Sequence, residues 1–311
     1  YQSRPDIFAL HIRKPAPLET EVIETDERIA ADGTVLRQLD ETALRRDLAA
    51  ARERGIAAVA VCLVHGYRWT AHEERIADIA AELGYTQISV SHETAPVIKF
   101  VSRAQTTLVD AYLSPVLYRY VERLGRELEP VAAPERLQMM QSNGGLIDAA
   151  RLRGKDAVLS GPAGGVVGMV QTASAIGLER LIGFDMGGTS TDVSAWAGEY
   201  VRTLDSEVAG VRLRAPMMEI HTIAAGGGSV LAYRDGRFQA GPESAGADPG
   251  PACYRRGGPA TVTDANVALG RIPVAHFPAV FGPGGDERLD RNASLAALEA
   301  LAEAAAADTG R

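Results

Sequence analysis

The chain has 311 residues, 46% of them hydrophobic and 23% charged, with 40 acidic against 32 basic side chains for a formal charge of −8. That length suffices for two domains or one large α/β unit. The apolar content excludes wholesale disorder, and the acidic balance, without a Lys/Arg cluster or a basic-aromatic stripe, argues against a nucleic-acid partner. Cys62 and Cys253 make no disulfide framework and point to a reducing compartment. No apolar run reaches the roughly 18 residues of a membrane span, and no signal peptide is evident, so the expected location is the cytoplasm.

In chain order, Glu21 to Leu39 reads as a hairpin around Asp32-Gly33. Asp40 is placed to cap a helix running to about Arg54 and ended by Gly55. The apolar run Ile56 to His65 predicts a buried strand, AHEERIADIAAELG an amphipathic helix, and Ile88 to His92 a second strand. This alternation predicts α/β architecture with a largely parallel sheet. A long helix is expected from about Ser102 to Leu128, restarted at Pro115, with Leu108, Tyr112, Leu117 and Tyr120 as its core stripe. Arg136 to Met140 reads as a short strand, interrupted by Gln141 to Gly145. Pro162 sits near the start of a helix that runs to about Ala175. Leu181 to Asp185 and Thr191 to Trp196 predict an antiparallel pair, which EYVRTLDSEV extends as a meander. The Gly/Pro-dense segment Ala224 to Pro259 predicts little regular structure, and Ser294 to Ala307 a helix.

Four glycine-rich turns follow strands or open helices: Ser142 to Gly145, Ser160 to Gly165, Gly187 to Thr191 and Gly226 to Ser229. Bare backbone amides can converge on an anion there. None of these turns carries the Lys-Ser/Thr of a P-loop or the dinucleotide GxGxxG. In FDMGGTSTDVS, Gly187, Gly188 and the amides of Thr189, Ser190 and Thr191 can cradle a terminal phosphate, with the Thr189 and Thr191 hydroxyls as further donors. Asp185 and Asp192 can then hold Mg²⁺, directly or through water, or one of them can orient a nucleophile for in-line phosphoryl transfer. The plainer reading is a tight hairpin whose aspartates only satisfy turn amides.

These residues also carry a resemblance. SGPAGGVVGMVQTASAIGLERLIGFDMGGTSTDVS resembles the connecting helix and second phosphate motif of the actin, chaperone and sugar-kinase ATPases. MQSNGG, LSGPAGGVVG, FDMGGTSTDVS, HTIAAGGGS, GPESAGADPGPACY and TVTDAN, in this order, more closely resemble the hydantoinase A family of N-methylhydantoinase A subunits, oxoprolinases and ketone carboxylase subunits. The resemblance implies an actin-like (ribonuclease H-like) α/β fold, with parts of two lobes built from mixed sheets flanked by helices. Residues 1–172 would hold the rest of the first lobe and the inter-lobe helix, and 173–311 the start of the second. It implies ATP and Mg²⁺ as cofactors and hydrolysis of a cyclic amide of hydantoin or 5-oxoproline type through phosphorylation of the amide oxygen. A B-type subunit or domain is the implied partner, in an oligomeric full-length protein.

Carried onto this chain, Asp185, Gly187, Gly188, Thr189 and Asp192 become the second phosphate motif, and Gly164 and Gly165 belong to the turn opening the inter-lobe helix. His221, Gly226, Gly227, Gly228 and Ser229 would lie near the cleft, with Asp248 and Asp264. The family's first phosphate motif, DxGGTxTD, and its downstream Gly-Gly-rich adenosine motif have no counterpart in these residues, so a piece of a longer protein, inactive alone, is expected. The alternatives are an acetone or acetophenone carboxylase subunit, a nucleotide-driven conformational module, and a scaffold without catalysis.

Single residues admit two readings each. His221 is a general base or metal neighbour, or a satisfied structural histidine. His65, His72, His92 and His276 show no metal-ligand spacing. Cys253 is a nucleophile or a packed thiol, the latter favoured. Asp264 is an N-cap or a site residue, and the Arg255-Arg256 pair is solvated or touches phosphate.

Overall fold

The run Ile56 to His65 forms a short strand, Ala58–Val61, that pairs in parallel with Gln87–Val90. Helix Ala71–Glu82 connects them, giving the strand–helix–strand unit the alternation predicts. Ahead of it, Arg28–Ile29 and Val35–Arg37 pair antiparallel, a hairpin shorter than its sequence pattern. Asp40 caps helix Glu41–Glu53 by accepting from the Ala43 amide at 3.0 Å. Leu44, Leu48, Val61, Ile76, Ile79 and Tyr85 close the core between the two helices and the strands.

This computed structural model describes residues 8, 10–11, 16–129, 136–208 and 210–310. It divides into two compact units, Tyr1–Val167 with Val201–Glu219, and Gly168–Tyr200 with Ile220–Arg311. No helix among the described residues is long and apolar enough to cross a membrane.

The long helix of the first unit, Phe100–Leu128, passes through Pro115 as one element rather than restarting there. Its buried side is not the expected aromatic stripe. Tyr112 and Tyr120 are exposed, while Arg103, Thr106, Thr107, Val109, Asp110 and Ser114 are buried. The reason is what packs there. Arg202–Val208 does not extend a meander but turns back on Val211–Met218, and this two-stranded sheet lays Leu213, Ala215 and Met217 against Val109. The Thr106 hydroxyl accepts from the Arg214 amide at 2.9 Å, so the strand is also pinned by a polar contact.

Three buried polar residues of the first unit, Glu73, Ser91 and Arg103, are matched to one another. Glu73, fully buried, accepts from the Leu63 amide, the Ser91 hydroxyl at 2.6 Å and both the amide and Nδ1 of His92. Arg103, also fully buried, donates to the Ser91 hydroxyl and to the carbonyls of Leu63, Val64 and Val97. Its guanidinium also lies over the rings of Tyr67 and Phe100. One arginine thus ties the loop after Val61 to the start of the long helix. His72 and His65 are likewise engaged, with Glu27 at 2.7 Å and the Ile29 carbonyl at 2.7 Å.

In the second unit, helix Ser160–Ser174, whose first turns lie in the first unit, leads to the strands of the candidate site. The segment Ala224 to Pro259 holds more regular structure than its Gly/Pro content suggests. Ser229–Arg234 and Arg237–Ser244 pair around Asp235-Gly236, both at positive φ (51° and 71°), the two-residue turn that matches strand twist. Helix Arg291–Thr309 starts at Asp290, whose carboxylate accepts from the amides of Asn292 and Ala293.

Replacing Arg103 by Met leaves the carbonyls of Leu63, Val64 and Val97 without its guanidinium. Urea denaturation of Arg103→Met is expected to show a loss of about 3–5 kcal/mol, from several buried acceptors left unsatisfied at roughly 1–3 kcal/mol each. Arg119→Met, at an exposed site on the same helix, is expected to change stability by less than about 0.5 kcal/mol.

Candidate functional site

Leu181–Met186 and Thr191–Trp196 form the predicted hairpin, with Asp185 directly opposite Asp192 and Met186 opposite Thr191. A third strand, His221–Ile223, lies along the other edge of Thr191–Trp196 and sets Thr222 opposite Asp192. Because side chains alternate along a strand, Asp185, Asp192 and Thr222 share one face of this sheet. Like charges directly opposite destabilise a strand pair, so the two carboxylates weaken the sheet that carries them. Thr222 donates to Asp192 Oδ1 at 2.7 Å and fixes that carboxylate. Asp185 is exposed and accepts no hydrogen bond from the described residues. The two aspartates therefore do not serve to satisfy turn amides.

The turn itself is closed by the Gly187 amide donating to the Ser190 carbonyl at 2.9 Å. The amides of Gly188, Thr189 and Ser190 donate to none of the described residues. Three consecutive free N–H groups at the tip of a strand pair, beside two carboxylates, can receive an anion that arrives with a cation. Thr189 is exposed with its hydroxyl unengaged, whereas Thr191 is buried and donates to the Ala225 carbonyl at 2.6 Å, so its hydroxyl is not open to a phosphate.

The second glycine loop comes to the first. The Gly227 amide donates to the Gly187 carbonyl at 2.9 Å and the Gly228 amide to the Gly188 carbonyl at 2.7 Å. The Gly226 amide donates to Ser229 Oγ at 3.0 Å, and the Ser229 amide to the Gly226 carbonyl. All four amides of Gly226, Gly227, Gly228 and Ser229 are thus engaged within the protein. This loop is joined to the Asp185–Asp192 hairpin, but its own amides are spent inside the protein and are not available as a cradle.

His221 pairs with Val193 and not with Asp192, so its side chain belongs to the opposite face of the sheet from the carboxylates. Strand period, which the motif alone does not reveal, separates them. Thr222, one residue on, holds the place beside Asp192. Gly164 and Gly165 lie in helix Ser160–Ser174, in the part assigned to the first unit, while the hairpin is in the second. Asp248 is exposed in the loop between Ala245 and Pro251.

Asp264 is fully buried and accepts from the amides of Ala252, Cys253 and Thr261 and from the hydroxyls of Thr261 and Ser294. It is not the N-cap of helix Val262–Ala268 but its third residue. Thr261 is the cap, and the two reciprocate as a capping box. Cys253 is buried against this carboxylate; burial first, then the Asp264 charge, push its thiol up to about 12. Arg255 and Arg256 are not simply solvated. Arg255 donates to the Arg288 carbonyl and pairs with Asp290 at 2.9 Å, and Arg256 donates to the Gly282 carbonyl.

The family model for hydantoinase/oxoprolinase matches residues 103–309, and that for the hydantoinase/oxoprolinase N-terminal region matches residues 1–84. The chain belongs to the hydantoinase/oxoprolinase family. It is 41% identical over 318 aligned residues to the 5-oxoprolinase of Saccharomyces cerevisiae, covering 93% of this chain and 25% of that protein. Its structure resembles the crystal structure of the ATP-dependent caprolactamase from Pseudomonas jessenii, with a TM-score of 0.68 and 38% identity over 88% of this chain and 40% of that one. An acetone carboxylase in its nucleotide-free state shares the fold at a TM-score of 0.72 and 24% identity, over 92% of this chain and 40% of that one. The fold is the α/β, actin-like ATPase fold that the motifs imply. The chain spans about a quarter of the length of the 5-oxoprolinases it matches.

The raised thiol of Cys253 excludes it as a nucleophile near neutral pH. Iodoacetamide at pH 8 is expected to leave Cys253 unmodified in the folded chain and to alkylate it fully in urea, as read by peptide mass spectrometry.

Proposed function

We propose that the Asp185–Asp192 hairpin binds the terminal phosphates of Mg²⁺-ATP, and that the chain is the phosphate-binding part of an enzyme that opens a cyclic amide in an ATP-dependent reaction. The observation that carries this is the opposition of Asp185 and Asp192 across the hairpin, beside the free amides of Gly188, Thr189 and Ser190. Likeness to a 5-oxoprolinase and to an ATP-dependent caprolactamase supports a lactam of five or more ring atoms, or a hydantoin, as the substrate class.

The donor set fits a hard cation. Two carboxylates project on one face, and among the described residues no group of three or more His, Cys, Asp or Glu gathers as a self-sufficient cage. Mg²⁺ takes one or two carboxylates and completes its shell with phosphate oxygens and water. Asp185 and Asp192 would hold it, and when bound it supplies charge neutralisation on the transferring phosphoryl group. Thr222 keeps one oxygen of Asp192 engaged, and the other accepts no hydrogen bond from the described residues. The tip amides and the Thr189 hydroxyl would hold the phosphate oxygens in place, which is positioning and electrostatic stabilisation rather than covalent work.

An amide carbonyl is a poor electrophile. Phosphorylating its oxygen makes the carbonyl carbon electrophilic: water adds to that carbon, the C–N bond breaks with the nitrogen leaving as a protonated amine, and the acyl phosphate that remains is hydrolysed to carboxylate and inorganic phosphate. We place the ring-opening residues on the rest of the family's architecture, a B-type subunit or domain included, within an oligomeric cytoplasmic enzyme. His221, on the other face of the sheet, is given no proton-transfer role.

Calorimetric titration of Mg²⁺-ATP is the test. It is made on this chain and on a chimera in which the segment replaces its counterpart in the 5-oxoprolinase of Saccharomyces cerevisiae. In the chimera, Asp185→Ala or added EDTA is expected to abolish binding. Thr222→Val is expected to weaken it by roughly tenfold, the worth of a hydrogen bond to a charged group, and Thr222→Ser to keep it. ATP turnover in the same chimera is expected to rise with 5-oxoproline or caprolactam and not with acetone. A folded chimera in which Asp185→Ala binds as tightly as the parent overturns the phosphate reading.

A further inference from the structure

We infer that the loop Gly226–Ser229 is a positioning brace that aims the anion-binding amides of the hairpin, with Thr263 as its remote anchor; this rests on the phosphate reading above. A trans peptide is planar, and its C=O and N–H point in opposite directions. Fixing a carbonyl on one side therefore fixes the N–H of the next residue on the other. The Gly187 carbonyl accepts from the Gly227 amide, and the Gly188 carbonyl from the Gly228 amide. Neither peptide is cis. The amides of Gly188 and Thr189 are consequently turned away from the brace, and they are two of the three free donors at the hairpin tip.

The brace is held from behind in the same way. The Gly227 carbonyl accepts from both the amide of Thr263, at 2.8 Å, and its hydroxyl, at 2.9 Å. The Gly228 carbonyl accepts from the Ala245 amide at 2.8 Å. A continuous chain results. Thr263 donates to the carbonyl of the Gly227–Gly228 peptide, whose N–H donates to the carbonyl of the Gly188–Thr189 peptide, whose N–H is open. Hydrogen bonds in series polarise one another, so this chain strengthens the Thr189 amide as a donor to an anion while fixing its direction.

Close approach explains the glycines. A Cβ at Gly226 would sit 2.7 Å from the Gly188 carbonyl carbon and oxygen and from the Thr189 nitrogen, which are atoms of the aimed peptide itself. A Cβ at Gly228 would sit 2.9 Å from the Gly188 oxygen, and one at Gly227 2.6 Å from Thr263 Oγ1. An alanine at 226 can be admitted only by moving the Gly188–Thr189 peptide.

The brace predicts an exchange pattern that needs no nucleotide. In the ¹⁵N-labelled chain, the amides of Gly227 and Gly228 are expected to be protected from hydrogen exchange and those of Gly188 and Thr189 to be unprotected. In the parent chimera, Mg²⁺-ATP affinity is expected to fall roughly tenfold or more in Gly226→Ala, the effect of misdirecting a donor to a charged group. Thr263→Val is expected to lose a few-fold and Thr263→Ser to retain affinity, all three with the parent's circular dichroism spectrum; Gly226→Ala is also expected to unfold at a lower temperature, so its affinity is read well below that midpoint. Exposed Gly227 and Gly228 amides, or a Gly226→Ala variant that binds like the parent while Asp185→Ala does not, would overturn the brace. Absence of binding in the parent chimera would instead sink the phosphate reading and leave the exchange pattern to judge the brace.

Discussion

Two carboxylates held opposite one another on adjacent strands repel, and the architecture of the second unit is organised around that repulsion. Asp185 and Asp192 sit one pair in from the turn, behind Met186 and Thr191, on the face where the proposed cation would meet both. Three further features support a strand pair that its own charges weaken. A third strand adds Thr222 to the carboxylate face, the Thr191 hydroxyl ties the hairpin to Ala225, and two amide-to-carbonyl bonds fasten its turn to the second glycine loop.

The contrast with the other acidic groups is instructive. Glu73 and Asp264 are fully buried, and both are saturated with donors. A buried charge is tolerated only when it is paired and hydrogen-bonded, and a saturated carboxylate has no lone pair left for a ligand. These two are scaffold: Glu73 with Ser91 and Arg103 joins a loop to a helix start, and Asp264 gathers the chain around Cys253 and Thr261. Asp185 is the reverse case, exposed and with no donor among the described residues. The acids that hold the fold and those proposed to meet a ligand are separated by what already touches them.

Much of the site was legible in the sequence because the hairpin is local. The strand run Leu181 to Asp185, the Gly-Gly-Thr-Ser turn and the second strand fix the Asp185–Asp192 opposition without any long-range information. Thr222 was not legible, since its place beside Asp192 depends on the register of a strand thirty residues away. The face that His221 takes was not legible for the same reason, since one residue of register sets the face. The hairpin at Asp235-Gly236 was readable in principle from the same Asp-Gly signal that marks Asp32-Gly33, but the surrounding glycines and prolines hid it. The buried face of helix Phe100–Leu128 was not readable at all. Its polar residues became core because distant segments bring partners to them: Arg103 meets Ser91 and the Leu63 and Val64 carbonyls, Asp110 meets Ser89 and the Lys155 amide, and Thr106 meets the Arg214 amide of the strand pair Arg202–Val208 with Val211–Met218.

Glycine runs carry a general ambiguity that the two loops here resolve in opposite ways. A glycine can be required because its amide must reach a ligand, or because its missing Cβ lets another backbone come close. Sequence does not distinguish the two, since both produce clusters of glycine after a strand. The destination of the amide does. At Gly188 the N–H is open and the carbonyl is held; at Gly226, Gly227 and Gly228 the N–H groups are engaged and the space for a Cβ is filled by the neighbouring loop. One loop presents donors and the other fixes where they point. A preorganised anion site needs both, because an amide free to turn would lose in reorientation what it gains in contact.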